Sequence, residues 1–350
     1  MTKALIRWVV QIVILVCMGE NAMAQDGTLL VANRGGGSIS LIDLQTRLEV
    51  ARLPIGPVIP HEVAVSPDGR FALTGEYGPN SGPGRHVVLI DIVNATIVGR
   101  IDLGPDSRPH TALFHPDGRH ALATMQDSDQ VALIDLEAMS VVRTYPTGGR
   151  EGHMVRVSPD GERAYVTSRL GDGTLSVVYL NEDRPPAVIQ TGAGAEGISV
   201  SPDGSEVWIA NRQETSISVV DTESLEIVAL IDSNLYAGRV EISPDGRYAV
   251  APNGGGGGEP VPQMLRLFDA ENHEIITELS LRDDGQPGTG NFGVLIHDGV
   301  AYVSEPGRGT IRLYELDSFG ESEPEVLASA HEGPDGLAWS PLRVGVMNTD

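Results

Sequence analysis

The sequence predicts an all-β fold, a seven-bladed β-propeller of four-stranded blades, on three observations. A Ser-Pro-Asp-Gly tetrapeptide begins at Ser66, Ser158, Ser201 and Ser243, with His-Pro-Asp-Gly at His115. These anchors and two weaker ones, at Ile296 and Ser340, are 42 to 53 residues apart, close to the length of a propeller blade. Short apolar runs with strand character flank each anchor. Seven anchors therefore predict seven blades.

Each anchor is predicted to be the hairpin turn between the first and second strands of a blade. Proline presets φ at the second turn position, aspartate accepts hydrogen bonds from nearby amides, and glycine adopts positive φ. The motif is therefore structural. A third and a fourth strand follow, as in 216–221 and 226–231. An aspartate recurs where third strands end and is expected to cap the next turn: Asp43, Asp91, Asp135, Asp221 and Asp269.

The ring is predicted to close between the two ends of the chain. The segment beginning at Thr28 matches a second strand, so its blade lacks a first strand at the N-terminal end. The missing strand is found at 336–339. One C-terminal strand should therefore join three N-terminal strands.

The first 24 residues have the layout of a secretory signal peptide. Lys3 and Arg7 precede an apolar run from Trp8 to Met18, and a small-residue site ends at Ala24. We therefore expect cleavage near Ala24, a single propeller domain over 25–350, and a periplasmic or secreted protein. The apolar run is too short for a membrane span.

Cysteine content and charge exclude several functions. Cys17, the one cysteine, lies in the predicted signal peptide, so disulfides, thiolate metal sites and covalent haem attachment are not expected. The formal net charge is −24, which disfavours nucleic acid and anionic membranes. The expected partner is a small polar or anionic molecule, or another protein.

The repeat resembles the YVTN-type propeller family. The matching residues are Ala164–Ser168, Val207–Asn211 and the Ser-Pro-Asp-Gly turns. The resemblance covers 28–341 and implies the propeller fold. In that broad group the chain looks like the propellers of methylamine dehydrogenase heavy chains, the d1-haem domain of nitrite reductase, bacterial lactonases and surface-layer proteins. The catalytic devices of the first two are not recognisable in this sequence.

The repeat also aligns candidate site residues at one mouth of the central channel. First strands begin at the face where second strands end, and binding groups tend to lie in such concave places. The position five residues before each anchor is a set with three consecutive histidines: His61, His110, His153, Glu196, Gly238, Asn291 and Asp335. This set predicts a site at that mouth.

Three uses of the histidines remain open. His61, His110 and His153 with Glu196 could hold a divalent metal, because neutral imidazole and carboxylate are common ligands. Carotenoid oxygenases show a similar pattern, although no motif of that family is present. A histidine could instead be a metal-free general base. The structural alternative is that each bonds the backbone of a neighbouring blade.

Second-strand ends add arginines to the same mouth. Arg34, Arg169 and Arg212 follow three of these ends, and such arginines suit an anionic ligand. Three insertions are expected to rim this face: 78–85, 253–263 and 282–290.

The predicted function is an extracytoplasmic propeller with a polar-ligand or catalytic site at this mouth. The catalytic candidates are His61, His110, His153, Arg169 and Arg212, and a bound divalent metal would support hydrolase, lyase or oxidoreductase chemistry. The alternatives are a non-catalytic scaffold or surface-binding protein, or a haem or cofactor accessory protein with one histidine as axial ligand.

Overall fold

The computed structural model describes residues 26–78, 82–234, 236–253, 263–281, 293–328 and 333–345. This part of the chain forms β-strands and one short 3-10 helix, Gln126–Ser128. In chain order the strands are β1 (Thr28–Asn33), β2 (Ser38–Asp43), β3 (Leu48–Pro54), β4 (Val63–Val65), β5 (Phe71–Gly75), β6 (His86–Asp91), β7 (Thr96–Asp102), β8 (Ala112–Phe114), β9 (His120–Met125), β10 (Gln130–Asp135), β11 (Ser140–Pro146), β12 (Gly152–Val157), β13 (Arg163–Ser168), β14 (Thr174–Tyr179), β15 (Ala187–Gln190), β16 (Ala195–Val200), β17 (Glu206–Asn211), β18 (Ser216–Asp221), β19 (Ile227–Asp232), β20 (Glu241–Ile242), β21 (Tyr248–Pro252), β22 (Met264–Asp269), β23 (Glu274–Ser280), β24 (Val294–His297), β25 (Val300–Glu305), β26 (Thr310–Glu315), β27 (Glu325–Ala328) and β28 (Pro334–Ser340).

The strands pair into seven four-stranded antiparallel sheets, so the predicted propeller is confirmed. Blade 1 has the order β28-β1-β2-β3, and blades 2 to 7 take β4–β7, β8–β11, β12–β15, β16–β19, β20–β23 and β24–β27. The innermost strands of neighbouring blades contact one another around the ring. They surround a central channel.

The predicted closure is also confirmed. The C-terminal strand β28 pairs with β1, with Leu30 opposite Ala338 and Thr28 opposite Ser340. The Thr28 hydroxyl donates to the Leu342 carbonyl at 2.7 Å. The two ends of the described chain are therefore joined in one sheet.

The anchors are the structural turns that the sequence predicts. At the first, Gly69 has φ +76° and its amide donates to the Ser66 carbonyl at 2.8 Å. The Asp68 carboxylate accepts from the Arg70 amide, and the Ser66 hydroxyl accepts from the Phe71 amide. The third-strand aspartates cap turns as expected; for example, the Asp43 carboxylate accepts from the Thr46 amide at 2.7 Å.

Burial follows the radial order of the strands. The second and third strands of each blade are mostly buried, whereas fourth strands alternate exposed and half-buried residues, as in Leu48–Pro54. Core side chains pack between adjacent blades. Trp208 of blade 5, for instance, meets Phe268 of blade 6 edge to face, with ring centroids 6.1 Å apart. Because the blades are closely packed against one another, the strands that line the channel hold the residues at its mouths in fixed positions.

Several predicted features lie outside the described residues. These are the signal peptide at 1–24, Asn291 of the aligned set, the insertion at 282–290, and most of 253–263 and part of 78–85. Within the described ranges, no helix has the length and apolar character that a membrane crossing requires.

Candidate functional site

The described members of the aligned set lie where the first strands of their blades begin, and β-bulges help to place three of them. In β16, Ala195 pairs with Asn211 and Gly197 with Ala210, which leaves Glu196 as the extra residue. In β28, Asp335 and Gly336 together lie opposite Ala32 alone. In β12 the register shifts between Gly152 and Val155, at His153. Bulges re-aim side chains and recur beside functional sites. We call the mouth formed by His61, His110, His153, Glu196 and Asp335 the histidine mouth.

Buried threonines of the second strands hold the backbone at this mouth. The Thr124 hydroxyl accepts from the amides of His110 and Thr111 at 3.2 and 3.1 Å, and it contacts the His153 carbonyl at 3.3 Å. The Thr167 hydroxyl donates to the Glu196 carbonyl at 2.8 Å. The side chains that satisfy these irregular backbone groups therefore also tie neighbouring blades together.

The three histidines form one aromatic cluster. His61 and His110 stack with ring centroids 4.7 Å apart, and His110 and His153 are 3.8 Å apart. Tyr77 lies edge-on to His61 and His110, and its hydroxyl accepts from the Gln126 side-chain amide at 3.2 Å. The histidines are only 2 to 5% exposed, and the structure brings all three together.

Burial keeps these histidines neutral. It lowers the pKa of His61, although the hydrogen bond to Asp335 opposes this effect. Burial lowers the pKa of His110 and His153 well below the ordinary value, and nearby positive groups, including Arg169 and Arg239, lower it further. Neutral imidazole is the form that ligates metals and accepts protons.

His61 differs from the other two histidines in its partners. Its Nδ1 lies 3.0 Å from Asp335 Oδ2, and its Nε2 is buried with no hydrogen-bond partner. Asp335 lies 3.6 Å from the Arg239 guanidinium, which also forms an ion pair with Glu62. Burial raises the pKa of Glu62 to about 7 despite the Arg239 charge. A buried ionic cluster thus extends from the histidine mouth into the channel.

The arginines meet carboxylates of the same mouth. Glu196 is buried, and its carboxylate lies 3.1 Å from Arg212 and 4.0 Å from Arg169. Arg169 also pairs with Glu151 at 2.6 Å. Two guanidinium groups therefore lie close to the histidines, where the carboxylates of a ligand could exchange with Glu196 and Glu151 as their partners.

Metal binding by His61, His110, His153 and Glu196 stays a prediction. Within the described ranges, no three His, Cys, Asp or Glu side chains are arranged to hold a metal ion. The histidine rings stack, and the Glu196 carboxylate contacts arginines. What the cluster offers chemically is a buried imidazole nitrogen with no hydrogen-bond partner, the partly exposed ring of Tyr77 and adjacent guanidinium groups.

Sequence reasoning missed Glu62 and Arg239. Each lies one position after the aligned set, next to His61 and Gly238, and their side chains meet across the channel, 177 residues apart in sequence. The available signal was a charged residue at a position where other first strands carry small or apolar ones, such as Gly197 and Gly336.

Part of this chain matches a family model whose description names haem. A family model described as "Cytochrome D1 heme domain" matches residues 120–239. This segment runs from the second strand of blade 3 to the start of blade 6. It contains His153, Glu196 and Arg239, but not His61 or Asp335. The match supports a propeller family; membership of the YVTN-type group stays a prediction.

Two curated proteins are similar over much of the chain. "Dihydro-heme d1 dehydrogenase" of Pseudomonas aeruginosa is 23% identical over 324 residues, which cover 78% of this chain and 64% of that protein. "Protein NirF" of Stutzerimonas stutzeri is 25% identical over 234 residues, which cover 59% of this chain and 57% of that protein. The chain thus spans about three fifths of the length of these relatives.

Solved structures show the same fold at low identity. A chain of hydrazine synthase from Kuenenia stuttgartiensis matches with a TM-score of 0.64 and 19% identity, over 74% of this chain and 77% of that chain. A functionally unknown protein from Desulfotomaculum acetoxidans matches with a TM-score of 0.70 and 13% identity, over 90% and 99%. These likenesses concern the fold alone.

Proposed function

We propose that the protein is an extracytoplasmic accessory protein that binds a haem-type tetrapyrrole, of the d1 class, at the histidine mouth. The observation that carries this proposal is the state of His61, a neutral buried imidazole whose Nε2 has no hydrogen-bond partner. A buried acceptor without a partner costs about 1–3 kcal/mol. An iron ligated by Nε2 would remove that cost.

The residues around His61 fit the rest of such a ligand. Tyr77 provides a partly exposed aromatic ring beside His61, and Arg169 and Arg212 provide guanidinium groups for ring carboxylates. When bound, the iron of a haem supplies reversible one-electron chemistry. The side chains of this protein would orient the macrocycle, and burial at the mouth would limit the access of water to it.

The names of the relatives support a haem ligand of the d1 class. Their names concern haem d1 and its dihydro form, which favours the cofactor-accessory alternative over a hydrolase or lyase. One binding site would serve either of two roles: a redox step on a bound tetrapyrrole, or delivery of the tetrapyrrole to another protein. The proposed location outside the cytoplasm follows from the predicted signal peptide, and sequencing the N-terminus of the secreted protein would test it.

The direct test is titration of the purified mature protein with ferric haem and, separately, with metal-free protoporphyrin IX. We expect saturable one-to-one haem binding with a shifted Soret band. His61→Ala should weaken haem binding at least about tenfold, because losing a ligand costs no less than losing the outer-shell partner of a ligand, which typically costs about 10–100-fold. It should leave porphyrin binding unchanged, because porphyrin has no iron to ligate.

The matched control is His120→Ala, because His120 begins β9 next to the turn between the first and second strands of blade 3, away from the mouth, and pairs with Asp117. This variant should bind haem like the wild type. A wild-type protein without saturable haem binding would overturn the proposal. Elemental analysis of the same preparation tests the alternative metal set of His61, His110, His153 and Glu196.

A further inference from the structure

We propose that Asp335, held by Arg239 from the opposite side of the channel, is the positioning residue that fixes His61 in one tautomer and one orientation. The inference rests on the proposed function only for the identity of the ligand that His61 meets. The contacts among Asp335, His61 and Arg239 do not depend on that ligand.

The tautomer follows from the partner of each nitrogen. Asp335 lies 3.6 Å from the Arg239 guanidinium, and an aspartate beside a buried positive charge is an ionised carboxylate at neutral pH, which only accepts hydrogen bonds. The Nδ1 of His61, 3.0 Å from Asp335 Oδ2, must carry the proton. In a neutral imidazole this leaves the lone pair on Nε2.

The other two histidines lack such a partner. Nδ1 of His110 is 3.5 Å from the Thr111 hydroxyl, and Nδ1 of His153 is 3.4 Å from the Gln126 side-chain oxygen. Both contacts are long and involve neutral groups. Within the described ranges, His61 is thus the member of the cluster that a carboxylate fixes.

Arg239 connects three blades at this point. It comes from the segment leading into β20 of blade 6, and its guanidinium lies 3.6 Å from Asp335 of blade 1 and forms an ion pair with Glu62 of blade 2. Its side chain is 6% exposed. Because the positive charge is buried between two carboxylates, it stabilises the ionised form of Asp335 that the tautomer of His61 requires.

Gly336 makes the arrangement sterically feasible. Its amide donates to the His61 carbonyl at 2.8 Å. A Cβ atom there would lie 2.6 Å from that carbonyl oxygen and 2.8 Å from Glu62 Oε2, so a larger residue would displace both. Strand β28 therefore holds His61 at two points, through the backbone of Gly336 and the carboxylate of Asp335.

The expected consequence is a preorganised ligand nitrogen. A carboxylate on one imidazole nitrogen fixes the ring and raises the basicity of the other, and removing such a partner typically costs about 10–100-fold in metal affinity. Asp335 touches no ligand itself. Its effect on binding would pass through His61.

The test is Asp335→Asn in the full mature protein, with two measurements. An amide can present either its oxygen or its NH2 group to Nδ1, so the variant should lose the tautomer preference while keeping the shape and leaving Arg239 paired with Glu62. The ¹⁵N chemical shifts of the His61 ring, without ligand, should show protonated Nδ1 in the wild type and mixed tautomers in the variant. Ferric haem affinity should fall about 10–100-fold.

Two further variants complete the test, one as a milder change at the same site and one as a control elsewhere. Arg239→Lys keeps the buried positive charge but loses the planar fork, and should give an intermediate loss of tautomer preference and of haem affinity. It also serves as the test if Asp335→Asn fails to fold. The matched control is Glu206→Gln, which alters a carboxylate that pairs with His273 at 3.0 Å between blades 5 and 6. It should change neither measurement.

The outcomes separate this inference from the proposed function. Protonated Nε2 in the wild type, or an Asp335→Asn variant with unchanged shifts and unchanged affinity, would overturn the positioning role. A wild type that shows the expected tautomer, loses it in Asp335→Asn and binds no haem would support the positioning role and overturn the proposed function.

Discussion

At His110, one imidazole ring lies between two others, and all three are buried. Such an arrangement is stable only while the rings are neutral, because a proton on any of them would place a charge against the other rings and near Arg239. Because folding lowers the pKa of His110 and His153, the stability of the folded protein depends on pH.

We predict that the protein loses stability in mild acid through these histidines. The pKa of each is lowered in the folded state, so below about pH 6.5 the unfolded chain binds protons that the folded chain does not. The free energy of unfolding should fall as pH decreases from 6.5, by at most about 1.4 kcal/mol per pH unit for each histidine. Glu62, whose pKa is raised to about 7, binds a proton in the folded chain over the same range and offsets part of this loss. Urea unfolding at several pH values measures this slope.

The variant His110→Phe isolates one of the three contributions. It keeps an aromatic ring between His61 and His153 but removes a proton-binding group, so the slope below pH 6.5 should become shallower. At pH 8 all three histidines are neutral in both states, and the difference between the two proteins there reports packing alone. Equal slopes for both proteins in acid would contradict the prediction.

The repeat predicted which residues share the mouth but not how they interact. Counting back from each anchor identified His61, His110, His153, Glu196 and Asp335, because the anchor fixes the same register in every blade. It could not identify the pair of Arg239 and Glu62, since their contact crosses the channel between blades 6 and 2. Nor could it show that Glu196 contacts arginines, because that depends on side-chain direction at a bulge.

At the scale of the strand, the mouth depends on irregularities that the repeat pattern does not reveal. The strands themselves were predictable, because each lies at a fixed distance from a turn with defined chemistry. The bulges at His153, Glu196 and Asp335 were not. They are inserted residues whose backbone groups leave the ladder and need other partners, and those partners are side chains such as Thr124 and Thr167.

We predict that Thr124→Val destabilises the protein and disorders the mouth. The substitution preserves shape but removes the oxygen that accepts from the amides of His110 and Thr111. An unsatisfied buried amide costs about 1–3 kcal/mol, and the unfolding free energy should drop by about that amount. Amide hydrogen exchange at His110 and Thr111 should accelerate more than exchange elsewhere in blade 3.

The control for this prediction is Thr144→Val, because Thr144 lies exposed on β11 of the same blade. A valine there should change stability by less than about 0.5 kcal/mol, as is usual for surface substitutions. If the two variants were equally stable, the buried hydroxyl would not be holding the mouth.

At the scale of the whole molecule, the strand that closes the ring also helps to build the site. Strand β28 closes the ring against β1, and it also carries Asp335 and Gly336, which hold His61 of blade 2. Closure of the fold and completion of the site therefore depend on one C-terminal strand. A chain that has not yet closed lacks the carboxylate that fixes His61.

We therefore predict that a chain ending at Gly333 loses both cooperative folding and the site. Its blade 1 would have three strands, and Leu29 and Val31, which are fully buried beside Leu337, would be exposed. Uncovering each such side chain costs about 1.5–3 kcal/mol. The truncated chain should unfold at lower urea concentration with a broader transition and should bind a hydrophobic dye.

The comparison chain ends at Gly345 and keeps β28 complete. It should unfold like the full-length protein. Adding a synthetic peptide of residues 334–345 to the chain ending at Gly333 should restore the sharp transition, because the peptide supplies the strand that pairs with β1. The same peptide with Asp335 replaced by asparagine should restore the transition but not the tautomer of His61. Restoration of both the transition and the tautomer by the asparagine peptide would show that closure alone, without the Asp335 carboxylate, is enough to order the histidine mouth.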